Sequence, residues 1–308
     1  MARHRKGQAI SGWVCLDKPE GLGSTQAVGR VRRAFDAQKA GHAGTLDPLA
    51  TGILPIALGE ATKTVPFLMD ADKTYRFTVA WGASTASFDR DGAVTATSPP
   101  RPGHDLVAKA MTAFVGEIEQ IPPDFSAVKV NGARAYDLAR QGSPLDLAPR
   151  KVVIHAARLT GGDRDHAEIE VECGKGTYIR SLVRDLAVAL DACAHVSALR
   201  RTRVGAFTEE RAVGLEFIER MCDTGAPLEA LLPVETPLDD IPAVAVTTED
   251  AFRLTQGRSI VLLPRQVETL RAALSASRTV SALHSGRIVA LCEMRAGRLN
   301  PTRVFHLS

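Results

Sequence analysis

Apolar and polar positions alternate most cleanly over Lys73–Trp81, where Tyr75, Phe77, Val79 and Trp81 share one face, and a period of two predicts a strand. A second strand is predicted at Ala167–Cys173. It runs into the glycine turn Gly174–Gly176 and then into a helix whose Ile179, Leu182, Val183, Leu186 and Leu190 fall on one face. Nearer the start, Gly12–Leu16 is a short strand candidate ending in the turn Lys18-Pro19-Glu20-Gly21. Ser24 or Thr25 then offers a cap for a helix through Phe35, with Val28, Val31 and Phe35 three and four apart. Leu106–Phe114 predicts another helix, and Phe88–Gly92 a hairpin turn. After the linker Asp239-Asp240-Ile241-Pro242, short β-like runs at Val244–Val246, Val280–Leu283, Arg287–Glu293 and Arg303–Phe305 predict a small β-rich module.

One stretch breaks these periodicities. Gly41–Lys63 begins with three glycines able to take positive φ (Gly41, Gly44, Gly52), a φ-fixing Pro48 and a single carboxylate, Asp47, and continues into the apolar run Leu49–Gly59. On the dipeptide alone, Asp47 caps a short helix starting at Pro48. A carboxylate on a tight turn against a buried wall is also placed for chemistry, with its acidity set by its surroundings.

Composition narrows the options modestly. The 308 residues are 45% hydrophobic and 24% charged, enough for one large domain and a small one, and the net charge of +3 permits nucleic-acid binding without requiring it. Charge is concentrated in the first forty residues, where eight Lys or Arg stand against three acids. Five scattered cysteines, with no C-x-x-C pair, read as reduced thiols of a cytoplasmic protein. No metal site is predicted: Phe88–Gly92 has too few ligands for a calcium loop. Gly174–Ser181 lacks the order and spacing of a P-loop, and neither a signal peptide nor a membrane span is expected.

The string His42-Ala43-Gly44-Thr45-Leu46-Asp47-Pro48-Leu49-Ala50-Thr51-Gly52 resembles the active-site motif of the TruB family of tRNA pseudouridine synthases. Further segments resemble that family in its order: Leu16-Asp17-Lys18-Pro19-x-Gly21 with Ser24, Lys73-x-Tyr75, Lys175-Gly176-Thr177-Tyr178-Ile179-Arg180, and Ala194–Arg203. The chain departs from it at Thr85-Ala86-Ser87, where members often carry Thr-Asp-Thr. The resemblance implies an α+β fold with a mixed-sheet catalytic domain over residues 1–239, including a tRNA-clamping insertion at about 120–150, and a PUA-like RNA-binding domain over 240–308. It implies Asp47 as the catalytic residue, Arg180 as its ion-pair partner and Tyr75 as the ring stacked on the target uracil, with Tyr178 and Leu199 shaping the pocket. His42 is the candidate for holding the loop, and Lys18, Lys129, Arg134 and Arg140 are candidate RNA contacts. The implied reaction converts uridine 55 of the tRNA T loop to pseudouridine; with no atoms gained or lost it calls for no cofactor. The implied partner is the T arm of tRNA, with no obligate protein partner, and the implied state a monomer. The rival readings are a non-catalytic tRNA-binding or tRNA-folding protein, for which Asp47 would be structural, and a carboxylate hydrolase, which needs a second acid at working distance from Asp47.

Overall fold

The computed structural model describes residues 7–126, 128–130, 133–140, 146–223, 227–274 and 278–307, without the side chains of 129–130, 133–134, 137, 139–140, 222–223 and 227. Its main body is a mixed sheet ordered Val213–Gly214, Gly12–Lys18, Thr51–Leu58, Ala194–Val204, Lys73–Trp81, His166–Cys173, Arg150–Gly162, Gly116–Gln120. The contacts of Gly12–Lys18 with Val213–Gly214 and of Thr51–Leu58 with Ala194–Val204 are parallel and the other pairings along this path antiparallel. Thr51–Leu58 is buried at every position after Thr51, the pattern of a strand covered on both faces, and this explains its unbroken apolar run.

Register decides what meets at the site. Gly52, Arg201, Tyr75, Val171 and Ala157 are level across five adjacent strands. Level residues share a face, so Tyr75 and Arg201 stand side by side, with Leu199 and Phe77 as the next pair on that face. Phe77, Val79 and Trp81 are buried as the alternation predicts, whereas Tyr75 is only half-buried because it lies where the cavity opens.

Helices follow the predicted pattern with instructive differences at their ends. Ser24–Ala34 begins with Gly23 at the cap position, whose N–H donates to the Gln26 side chain. Ser24, expected as a cap, instead accepts from Leu46 N–H and donates to Leu46 O, both at 2.8 Å, and so anchors the loop before Asp47. Pro48 opens no helix. Ala50 N–H donates to Asp47 O at 3.1 Å, closing a tight turn that leaves the Asp47 side chain uncommitted to a cap.

A second sheet of five strands begins at Ala243, in the order Ala243–Ala245, Thr279–His284, Arg287–Arg295, Arg298–Val304, Ile260–Val261. Val280, Ala282, Ala290, Cys292 and Leu299 give it a core of its own. Ile288, Leu291 and Phe305 pack with Trp13, Ile53, Leu68 and Phe207 of the main body in a shared cluster, so the two sheets are joined by apolar burial as well as by the chain.

Candidate active site

The turn bearing Asp47 is fastened from several sides. Ala43 N–H donates to Pro55 O (3.0 Å) and Gly21 N–H to Pro48 O (2.8 Å), while Arg201 reaches Gly44 O (3.1 Å). Two of the predicted glycine positions are required by backbone conformation. Gly44 has φ +87°, and Gly52 has φ +95° with a Cβ position 2.2 Å from Arg201 O, which no side chain could occupy. Lys18, expected among the RNA contacts, is 0% exposed and donates to the carbonyls of Pro19 (2.8 Å), Leu22 (2.7 Å) and Pro48 (3.3 Å). Its position is under the loop rather than on an RNA-facing surface. Burial pushes its ammonium down to about 8, against an opposing pull from Asp47.

Arg180 lies in the first turn of Ile179–Ala189, where the helix dipole disfavours a cation, and carboxylates offset that cost. Its side chain is 5% exposed; one terminal nitrogen is 2.7 Å from Asp47 Oδ2 and the other 3.6 Å from Asp89 Oδ2. The same guanidinium donates to Ser87 O (3.2 Å) and Phe125 O (2.8 Å). Asp89 is itself buried and accepts from Ser87 Oγ (2.5 Å) and Asp91 N–H (3.1 Å). The hairpin predicted at Phe88–Gly92 is therefore part of the site, a role that its turn-like sequence did not reveal. Ala86, where family members often carry an aspartate, is exposed and absent from the cavity wall, so that departure leaves the site intact.

Asp47 is 35% exposed and opens onto a cavity of about 270 Å³. Tyr75, Tyr178, Leu199, Arg180 and Arg201 all line it, bringing together residues far apart in the chain. Tyr178 packs on Val128, Ala135 and Leu147, and its N–H donates to Gln120 Oε1 at 2.8 Å, which ties the 120–150 region to the cavity wall. Burial pushes both phenols up; for Tyr75 the neighbouring Arg201 guanidinium pulls the other way. Lys73 directs its ammonium at the carbonyls of Leu68, Met69 and Ala71 (3.2, 2.8 and 2.5 Å), and burial lowers it to about 8.

His42 is not on the cavity wall. It lies in the short strand Ala40–His42 beside the loop, with a buried Nδ1 that has no hydrogen-bond partner, and burial lowers its imidazole's proton affinity, with Arg201 adding to the effect. The side chains of Lys129, Arg134 and Arg140 lie outside the described residues. Arg201, Asp89 and Lys73 are the site members that the sequence reading passed over. For Arg201 a signal existed: it stands two residues from Leu199 on a strand and so shares its face.

Residues 32–179 match the TruB family pseudouridylate synthase N-terminal domain, and residues 180–239 the tRNA pseudouridylate synthase B C-terminal domain. The chain is 66% identical over 310 residues to a tRNA pseudouridine synthase B of Caulobacter sp. (strain K31), with all of both chains covered. It is 52% identical to the protein of that name from Nitrobacter winogradskyi, over 97% of this chain and 84% of that one. Among solved structures it resembles a chain of a Cbf5-Nop10-Gar1 complex at TM-score 0.73 and 25% identity, covering 96% of this chain and 85% of that chain. A chain from an H/ACA RNP bound to a substrate RNA containing 2'-deoxyuridine also matches at TM-score 0.73, with 22% identity, over 100% of this chain and 92% of that chain, and supports the fold alone.

Proposed function

Because the chain belongs to the TruB family of pseudouridine synthases, we propose that it converts a tRNA uridine to pseudouridine at position 55 of the T loop, with Asp47 as the catalytic carboxylate. The observation that carries this reading is the Asp47–Arg180 pair at 2.7 Å, with the carboxylate open to a cavity that Tyr75, Tyr178 and Leu199 also line. Arg180 fixes the direction of the carboxylate before substrate arrives, so no reorganisation is needed when charge develops. The target leaves its stack, which costs less in a loop than in a duplex, and its ring lies against Tyr75. The C1′–N1 bond breaks, Asp47 acts on the sugar or the ring, the uracil turns, and a C1′–C5 bond forms as the C5 proton leaves. Tyr75 stands where it can take part in that proton transfer. The proton lost from C5 is matched by one taken up at N1, so the product is an isomer of the substrate and neither oxidant nor reductant enters the balance.

Support for a clamp on the RNA comes from the 120–150 region, which touches the site through Phe125 O and the Tyr178 cluster. Lys129, Arg134 and Arg140 on that segment are the proposed phosphate contacts, and His42 the proposed brace of the Asp47 loop. Among the described residues Asp47 is the one acid on the cavity wall, and Asp89 is held by the same guanidinium, so neither supplies the uncommitted second acid that the hydrolase reading needs.

Position and activity can be tested together. An unmodified tRNA transcript and the same transcript with cytidine at position 55 are incubated with the protein, and pseudouridine is mapped by base-selective derivatisation and primer extension. One stop at position 55 in the first transcript and none in the second is expected. A stop elsewhere would overturn the position but keep the isomerase; no stop with folded protein would overturn the catalytic reading in favour of tRNA binding alone.

A further inference from the structure

Arg201 is 1% exposed, yet it lines the cavity next to Tyr75. Its Nε donates to Ile53 O (2.8 Å) and a terminal nitrogen to Gly44 O (3.1 Å), carbonyls on either side of the Asp47 turn. Those carbonyls satisfy hydrogen bonds but carry no net charge. Among the described residues no carboxylate oxygen lies within 4.0 Å of the Arg201 guanidinium. The other cations of the wall are engaged: Arg180 by two carboxylates, Lys73 by three carbonyls. A buried guanidinium without a counter-ion is costly to keep charged, and its field is little screened. Such a cation favours an anion that arises in the cavity over a neutral ring that binds there, which is the condition for speeding a reaction rather than tightening a complex.

We propose that Arg201 is a catalytic residue of this site, stabilising the negative charge that collects on the uracil ring when the glycosidic bond breaks. The inference rests on the isomerase reading. The electron pair of the C1′–N1 bond leaves with N1 and spreads to the ring oxygens, while C1′ becomes electron-deficient and is met by Asp47. The ring turns beside the guanidinium, a C5 pair forms the new bond to C1′ and discharges the ring, and the C5 proton then leaves as N1 takes one up.

The test compares single-turnover loss of the N-linked nucleoside in tRNA carrying uridine or 5-fluorouridine, whose ring leaves as a more stable anion. Wild type is measured first; no turnover of uridine by it would sink the isomerase reading itself rather than the role of Arg201. Arg201→Gln keeps donors for the two carbonyls without the charge. It is expected to slow uridine turnover by about 10²- to 10³-fold with tRNA affinity unchanged, and the deficit should shrink at least ~10-fold on 5-fluorouridine. Arg201→Lys should recover most of the uridine rate. Equal deficits on the two substrates would reduce Arg201 to a loop staple and overturn the proposal. Should the neutral variant fail to fold, wild type decides alone. With tRNA lacking the target base, it should bind free 5-nitrouracil, an anion at neutral pH, more tightly than neutral uracil, and no preference would overturn the proposal.

Discussion

Two neighbouring rows of the main sheet hold arginines, and they teach opposite lessons. In one row Arg158, Glu170, Arg76 and Arg200 are level across four strands, joined by ion pairs at 2.5 Å (Arg158–Glu170) and 3.0 Å (Arg76–Glu170) and continued through Glu209 to Arg200. One residue along, on the opposite face, the row Ala157, Val171, Tyr75, Arg201, Gly52 carries Tyr75 and Arg201 into the wall of the site. A shift of one residue exchanges the faces of a strand, so register alone separates a solvated ladder from a catalytic wall. The Arg158 and Arg76 side chains are 71% and 57% exposed, whereas Arg180 and its partner Asp89 are 5% and 7% exposed. Similar ion chemistry is worth little in water and a great deal out of it.

The strongest way to sharpen that contrast is to remove the buried member. Arg180→Met leaves Asp89 in the interior without its cation, and unfolding in urea should show a loss of about 3–5 kcal/mol. Single-turnover pseudouridine formation should fall about 10²-fold or more as Asp47 loses its orientation. Adding Asp89→Asn to the same chain is expected to recover part of the stability and none of the activity; recovery of both would mean that Arg180 serves only to neutralise Asp89.

Lys18 gives an intermediate effect that depends on pH. Its buried ammonium titrates at about 8, against an ordinary 10.5. Between those values the unfolded chain holds a proton that the folded chain has released, so stability rises with pH across the window and the lysine contributes least below about pH 8. The difference in unfolding free energy between wild type and Lys18→Met, from urea titrations, should accordingly shift in favour of wild type from pH 8 to pH 10.5, by on the order of 1–3 kcal/mol. A difference that stays flat would mean that the three carbonyls hold the ammonium charged throughout.

On the exposed row almost nothing should happen. Arg76→Ala and Arg158→Ala are each expected to change stability by about 0–1 kcal/mol and to leave single-turnover rates within about twofold. A large loss of rate from either would show that the solvated face also meets the RNA.

Much of this was legible in the sequence because it rests on local constraints. The period-two strand at Lys73–Trp81, the amphipathic face of the helix after Gly176 and the glycine-bounded turn around Asp47 all appear where pattern and backbone preference place them. The resemblance of Lys175–Arg180 to a family motif implied Arg180 as the partner of Asp47, and the two meet at 2.7 Å. The rest depends on long-range register or on which face of a turn points inward. Asp89 looked like an ordinary hairpin residue, since nothing local says that its carboxylate turns towards Arg180. Ser24 looked like a helix cap, and Gly23 with Gln26 freed it to hold Leu46. Lys18 read as a turn residue and a candidate RNA contact, and it is buried because the turn folds beneath the Asp47 loop. Arg201 is legible only when the alternation around Leu199 is extended by two residues and matched to Tyr75 across the sheet.

The most direct measurement is release of tritium from C5-labelled uridine in an unmodified tRNA transcript, with wild type and Asp47→Asn side by side and tRNA binding followed in parallel. The account predicts stoichiometric release at the target by wild type and a loss of about 10⁴-fold or more in the variant, at unchanged affinity. Equal release by both proteins would contradict the role given to Asp47.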